Sequence, residues 1–226
     1  MTRTLRILMV VGVLTIALGA QATITGITSP FSGDNVDWCQ LGCPNVAQAP
    51  SANPQAWVST GGSNTGWVGI NNSGGFNQMY VLQQDQSWFG TFTSGMGVVY
   101  SGAAFGNNPP EAIDVTFDQG QGIVGAYIEA NYYFLPYTAT IELFDSSFNS
   151  LGVFSENAAG GPPIFIGASS DTPIFAVEFD IQQAGHDHDF GLGELTVATP
   201  EPSSFILMGS ALAGLAGVIR RKAQKR

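Results

Sequence analysis

The chain has 226 residues, 44% of them apolar and 11% aromatic against only 11% charged, and a formal net charge of −10. All seven Lys and Arg lie near the two ends, so residues 23–199 hold no fixed cation, sixteen of the seventeen acids (the other is Glu201) and a formal charge of −16. Such a body cannot neutralise phosphates, which excludes nucleic acid as a partner and disfavours phosphorylated substrates and anionic lipid.

Arg3 and Arg6 precede an apolar run over residues 7–18, and "GAQAT" follows with Ala20 and Ala22 in an A-x-A arrangement. A positive start, a short apolar core and a small-residue exit predict a secretory signal peptide over residues 1–22, cut by signal peptidase between Ala22 and Thr23. Residues 23–199 then form one domain, long enough for a substantial core and too rich in Val, Ile and aromatics to be disordered.

Cys39 and Cys43 bracket "QLG", with no other Cys or nearby His to complete a metal set. In an exported chain this predicts a disulfide, which restrains a short loop by roughly 2 kcal/mol. "GGSNTGWVGINNSGG", residues 61–75, predicts loops between short strands. Trp67 within it is the aromatic expected to be exposed and to stack on a sugar ring. Trp38, Trp57, Trp88, Tyr132, Tyr133 and Tyr137 are the other aromatics weighed, most of them expected in a core.

Strand signals then recur at intervals of about 8–12 residues. "IDVTF" places Ile113, Val115 and Phe117 on one side, and "PIFAVEFDI" does the same for Phe175, Val177, Phe179 and Ile181. "GIVGAYIEA", "TATIELF", "SLGVFS" and "IFIGAS" read as further strands between Gly, Pro, Asn and Ser punctuation, and "LFDSSFNSLGVF" as a hairpin turning over residues 145–149. No long helical period appears between the termini. The prediction is all-β, a β-sandwich or jelly roll over residues 23–199.

"GHDHD" holds both histidines of the chain. Its two readings are a divalent metal site built from His186, Asp187, His188 and Asp189, and a solvated polar turn before the last strand. Calcium is the cation expected of so acidic a body; no other cofactor is expected.

From Gly125 onward, the strand, the "LFDSSFNSLG" hairpin, "FIGASSDTPIFAVEF" and "FGLGELTV" resemble the galactose-binding-like jelly rolls of exported bacterial proteins. "EFDIQQ" resembles the E-x-D-x-x-E strand of the laminarinase-like β-glucanases in Glu178 and Asp180, but Gln183 stands where the third acid would be, and an amide cannot donate the proton. No G-x-S-x-G elbow, Walker or dinucleotide glycine pattern occurs.

The chain closes with "TPEPSSFILMGSALAGLAGVIRRKAQKR". Residues 205–219 are uncharged, and as a helix at ~1.5 Å per residue they reach roughly 22 Å, short of the ~30 Å hydrocarbon core. Arg220, Arg221 and Lys222 would flank this single hydrophobic helix on the cytoplasmic side of the inner membrane. The triplet Pro200, Glu201 and Pro202, the Leu/Ala/Gly-rich helix and the basic end, in that order, resemble the PEP-CTERM sorting signal over residues 200–226. That resemblance implies recognition and removal of the tail by an exosortase, with delivery to the cell surface or extracellular matrix.

The sequence thus reads as an exported surface protein, non-enzymatic and associated with neutral polysaccharide, since an anionic polymer meets repulsion that no Lys or Arg offsets. A carbohydrate-active enzyme, marked by two carboxylates facing across a cleft, and an ice-binding protein carrying the same tail are the rival readings.

Overall fold

A computed structural model describes residues 22–43, 45–48, 56–59, 67–72, 79–101 and 111–199, with backbone alone at 45–48, 56–59, 67, 69, 71 and 72. The expected signal peptide, apart from Ala22, and the tail from Pro200 lie outside the described residues. Among the described residues no helix is long and apolar enough to cross a membrane.

The strands are β1 (Ile24–Ile27), β2 (Asp34–Val36), β3 (Asn45–Gln48), β4 (Ala56–Ser59), β5 (Trp67–Asn72), β6 (Met79–Gln83), β7 (Gly97–Tyr100), β8 (Ile113–Ala130), β9 (Tyr137–Phe144), β10 (Ser150–Ala158), β11 (Ile164–Gln182) and β12 (Phe190–Ala198). All their pairings are antiparallel. The all-β expectation holds.

Two long strands organise the rest. Sequence punctuation at "DQGQG" and "SSDTP" predicts breaks, but β8 and β11 run through them as strands of 18 and 19 residues. They pair with each other on both sides of an irregular middle, where the register slips between Ser169 and Ala176. Their first and second halves have different outer neighbours. One end of the pair is flanked by β9–β10 and β5–β4; the other is flanked by β1 and by β12, which leads on to β7, β6 and β3. The buried set of β8 changes from Ile113, Val115 and Phe117 to Val124, Ala126, Ile128 and Ala130, and that of β11 from Ile166 and Ala168 to Val177, Phe179 and Ile181. Each strand therefore changes phase once at the same level, as a strand does when an irregular residue re-aims its side chains. Apolar residues of both halves form one core cluster, so the fold is sandwich-like.

The phase change corrects one inward assignment. Phe175 is only half-buried, while its neighbours Ile174 and Ala176 are buried instead. Phe175 sits at the slip and packs over Gly120, where a Cβ would lie 3.1 Å from its ring. Trp67 also differs from expectation: it opens β5, whose residues 68–72 pair with β8, rather than sitting in a loop.

The β9–β10 hairpin forms as expected. Asp145 Oδ1 accepts from the backbone N–H of Ser147 and Asn149, and its Oδ2 accepts from Asn149 Nδ2. Those bonds, the Asn149 side chain first, hold the Asp145 carboxyl below its usual range. Near the start of the domain a 3-10 turn, Trp38–Leu41, is capped by Asp37 and joined by the expected Cys39–Cys43 disulfide. The buried Trp38 donates its indole N–H to the Gly193 carbonyl at 2.6 Å. Thr23, just ahead of β1, donates its backbone N–H to Asp171 Oδ1 at 3.0 Å.

The segment between β6 and β7 folds back over the outer face of its own sheet. Trp88 and Phe92 pack there with Leu82 and Val98 in a second apolar cluster, supported by Tyr80, Met96, Tyr100 and Tyr127. Room comes from glycine: a Cβ at Gly191 would press on Trp88, and one at Gly193 on Phe92.

Candidate functional site

Inside that second cluster lies an acid that is fully buried. Glu129, an outward position of β8, has no exposed surface. Its carboxylate accepts from Trp88 Nε1 at 3.0 Å, from Thr91 N at 2.8 Å and from Thr91 Oγ1 at 2.5 Å. Three donors and no competing acceptor satisfy a buried carboxylate. The chain can approach it because residue 90 is glycine; a Cβ there would land on the Glu129 carboxylate. Ser87 and Trp88 both donate backbone N–H to Gln83 O at 3.0 Å, and Gln84 Nε2 donates to Gly90 O at 2.8 Å. The Trp88 segment is thus fixed at its root.

Beside it opens a cleft of about 330 Å³ lined by Trp88, Phe89, Tyr100, Asn131 and Tyr133, with Leu82, Ser87 and Gly90. Phe89 stands on its rim, 78% exposed. The opposite wall comes from the segment between β8 and β9, where Phe134, 66% exposed, meets Tyr132 and Tyr133 edge-on. Exposed aromatics gathered beside a concave surface are the usual mark of a binding site.

The "GHDHD" turn supports this cleft from behind. Asp189 Oδ1 accepts from Tyr100 OH at 2.8 Å, its Oδ2 from Asn131 Nδ2 at 3.3 Å, and its backbone O from Asn131 N at 2.9 Å. Burial, then the Asp189 charge, pushes the Tyr100 phenol well above its ordinary range. The His186 ring stacks on Tyr132 with centroids 3.6 Å apart. Gln183 Nε2 donates to the carbonyls of Tyr132 and Leu135, each at 3.1 Å.

The four residues of the expected metal set therefore each point to a different partner or partners. His186 stacks on Tyr132, Asp187 accepts from Gln183 N, His188 Nδ1 lies 2.6 Å from Asp180 Oδ1, and Asp189 holds Tyr100 and Asn131. Among the described residues no group of three or more His, Cys, Asp or Glu is placed to hold a metal ion. As placed here, each of the four side chains is engaged by neighbours of its own, within a hydrogen-bonded polar turn.

The opposite end of the long strands carries an open acidic row. Glu178 is the register partner of Asp114 on β8 and of Glu142 on β9. Like charges directly opposite repel, and the Asp114 and Glu178 side chains are hydrogen-bonded to each other. Burial, then Glu178, raises the Asp114 carboxyl to about 7. Burial also raises Glu178, with Asp180 and Glu142 adding to it, and raises Asp180 although His188 pulls the other way. A second hollow of about 410 Å³, bordered by Asp37, Ser94 and Glu194, offers no aromatic face, because its Trp38 is fully buried.

Sequence reasoning missed the cleft. The signals were there: "SWFG" sets two aromatics before a glycine between strands, and "NYYF" sets three aromatics in one turn, more than a turn can bury. The candidate chosen instead, Trp67, has its side chain outside the described residues.

Comparison with known proteins bears mainly on the tail. Residues 198–222 match the family model for the PEP-CTERM protein-sorting motif, a motif that implies export and sorting to the cell surface. No curated protein matches the chain. Among solved structures, a DUF4465 family protein from Bacteroides caccae is 14% identical, over 76% of this chain and 99% of that one, at a TM-score of 0.40. The enzymatically active domain of bacteriophage CBA120 tailspike protein 4 is 11% identical over 79% and 18%, at 0.22. A mutant of a family 29 carbohydrate-binding module is 14% identical over 80% and 98%, at 0.25. Scores this low carry no further argument.

Proposed function

We propose that this protein, exported and sorted by its tail, associates with neutral polysaccharide through the Phe89–Tyr133 cleft and does not cleave it. The observation that carries the reading is the cleft: about 330 Å³, with Phe89 78% exposed on a hydrogen-bonded rim and the Asn131 amide in its wall. That size lies in the ~300–1,000 Å³ range of small-ligand sites. Aromatic faces take the C–H side of a sugar ring while amide and phenol groups meet its hydroxyls.

The acids elsewhere fit a binding role better than hydrolysis. Hydrolysis needs two carboxyls about 5 Å apart or more, flanking the bond, whereas Asp114 and Glu178 are bonded directly to each other on an open strand face. One sugar ring on exposed aromatics supports roughly millimolar to high-micromolar affinity, so surface retention needs many copies acting together. Before processing, the tail lies in the inner membrane with Arg220, Arg221 and Lys222 on its cytoplasmic side. Calcium serves this body as a diffuse counter-ion, able to bridge it to acidic chains.

A glycan array on the purified protein tests the reading. The expected result is weak, multivalent retention on neutral polysaccharide that Phe89→Ala removes. No binding to any glycan, or binding that Phe89→Ala leaves intact, would sink it.

A further inference from the structure

The walls of the cleft are neutral, but what stands behind them is not. Tyr100 and Asn131, which line it, are both held by Asp189, and Trp88, which also lines it, is held by the fully buried Glu129. Two carboxyl groups thus lie one residue behind the surface a ligand would touch. No Lys or Arg occurs anywhere in residues 23–199 to offset them.

Chemistry then ranks the ligands that fit the same hole. Three kinds of pyranose have nearly the same ring: a neutral sugar, a uronic acid and a free amino sugar. A uronate would bring a negative charge towards Asp189 and Glu129 with no donor cation to meet it. A neutral ring would use the aromatic faces alone. An amino sugar would add an ammonium group, with three N–H donors, in a place where the field of the body is negative and partly shielded from water. Ammonium groups are also drawn to aromatic faces, which Phe89, Tyr100 and Tyr133 supply.

Resting on the reading of this cleft as a sugar site that admits neutral rings, we propose that among the sugars it admits it prefers those of a polysaccharide containing free amino sugars, with Asp189 as the group that favours the ammonium. The long-range field adds to the selectivity: a cationic polymer approaching a body of formal charge −16 is attracted along its whole length.

The test measures binding of the full chain to three oligosaccharides of matched length: glucosamine, N-acetylglucosamine and a uronic acid. It is run at low and at moderate salt, with the parent, Asp189→Asn and the pair Phe89→Ala/Tyr133→Ala. Asn keeps the shape and an oxygen to accept from Tyr100, but its amide nitrogen faces Asn131, whose own amide must turn to offer an oxygen, so the variant is read by the ratio of affinities and not by either alone. The expected result is glucosamine binding about tenfold tighter than the acetylated form and no uronate binding. The preference, read as the ratio of the two affinities within each protein, should shrink to about threefold or less in Asp189→Asn at moderate salt. Equal binding of the two hexosamines would overturn the inference and leave the sugar-site reading standing. Loss of all binding in the parent would overturn both. A glucosamine preference that survives Phe89→Ala/Tyr133→Ala would place the effect on the general acidic surface and overturn the assignment to this cleft.

Discussion

Trp88 donates its indole N–H to Glu129 at 3.0 Å, and the two residues, 41 positions apart in the chain, hold each other in place. The bond ties the segment between β6 and β7 to β8 and so fixes one wall of the cleft. It also makes a clear mutational case, because removing Glu129 leaves the buried Trp88 indole N–H and the Thr91 donors without their acceptor.

Glu129→Ala should therefore cost about 2–4 kcal/mol. Thermal unfolding should show a Tm lower by roughly 4–16 °C, at about 2–4 °C per kcal/mol for a domain of this size. Glu129→Gln, which keeps the shape and one acceptor oxygen, should cost about half as much. A Tm unchanged by Glu129→Ala would mean that the segment is held by something else.

The Asp114–Glu178 pair gives a pH dependence with a definite sign. The folded protein releases the Asp114 proton near 7, against an ordinary 3.8. Because the folded state holds the proton more tightly, the stability from this group is full below about pH 4, falls as pH rises from 4 to 7, and is flat above that. Allowing for partial exposure, the change is on the order of 1–2 kcal/mol, or about 3–6 °C in Tm. Melting curves at pH 5 and pH 8 should show the protein more stable at the lower pH, and Asp114→Asn should flatten the difference.

Phe89→Ala and Tyr133→Ala should separate binding from folding. Phe89 is mostly exposed, so its truncation should change stability by less than about 0.5 kcal/mol. Affinity for oligosaccharide should fall by about five- to tenfold, read by calorimetry or by affinity electrophoresis. Unfolding of Phe89→Ala would show the ring to be a packing residue.

The ends of the exported protein are open to direct measurement. Cleavage between Ala22 and Thr23 turns the Thr23 N–H, now 3.0 Å from Asp171 Oδ1, into an ammonium group facing a carboxylate. N-terminal sequencing of the exported protein should read "TITGIT", and Asp171→Asn should lower the Tm of that mature form more than that of a form acetylated at Thr23. Mass spectrometry of surface fractions should find the chain ending near Pro200–Pro202. Trypsin, with no site between Arg6 and Arg220, should leave the body intact even when it is denatured; internal tryptic fragments would contradict the sequence itself.

Much of the strand content could be read directly, because alternation is a local signal. Ile113, Val115 and Phe117, and equally Val177, Phe179 and Ile181, fall inward as their spacing requires. What could not be read is what happens between such runs. "DQGQG" and "SSDTP" look like stops, yet they lie opposite each other across the β8–β11 pair, and each strand finds in the other the partner that lets it continue through the slip. The cleft was hidden for a related reason. Its residues come from three separate segments, and Glu129 and Asp189 act through contacts 41 and 89 positions away in sequence. The neighbours of the two histidines were hidden in the same way, because spacing alone cannot show that Asp180 would meet one and Tyr132 the other.

The place where the tail leaves the domain has a mechanical consequence. The chain exits at the end of β12, whose last residues pair with Ile123 and Val124 of β8 on one side and with Asp34 of β2 on the other. A pull on the tail is applied along a strand flanked on both edges. It must slide several hydrogen bonds past their partners together rather than peel them one at a time. Since β8 pairs along most of its length with β11, the load passes into both halves of the core. A domain fastened by its last residues thus bears the strain through its centre, along the same β8 whose Glu129 ties down the Trp88 wall of the cleft.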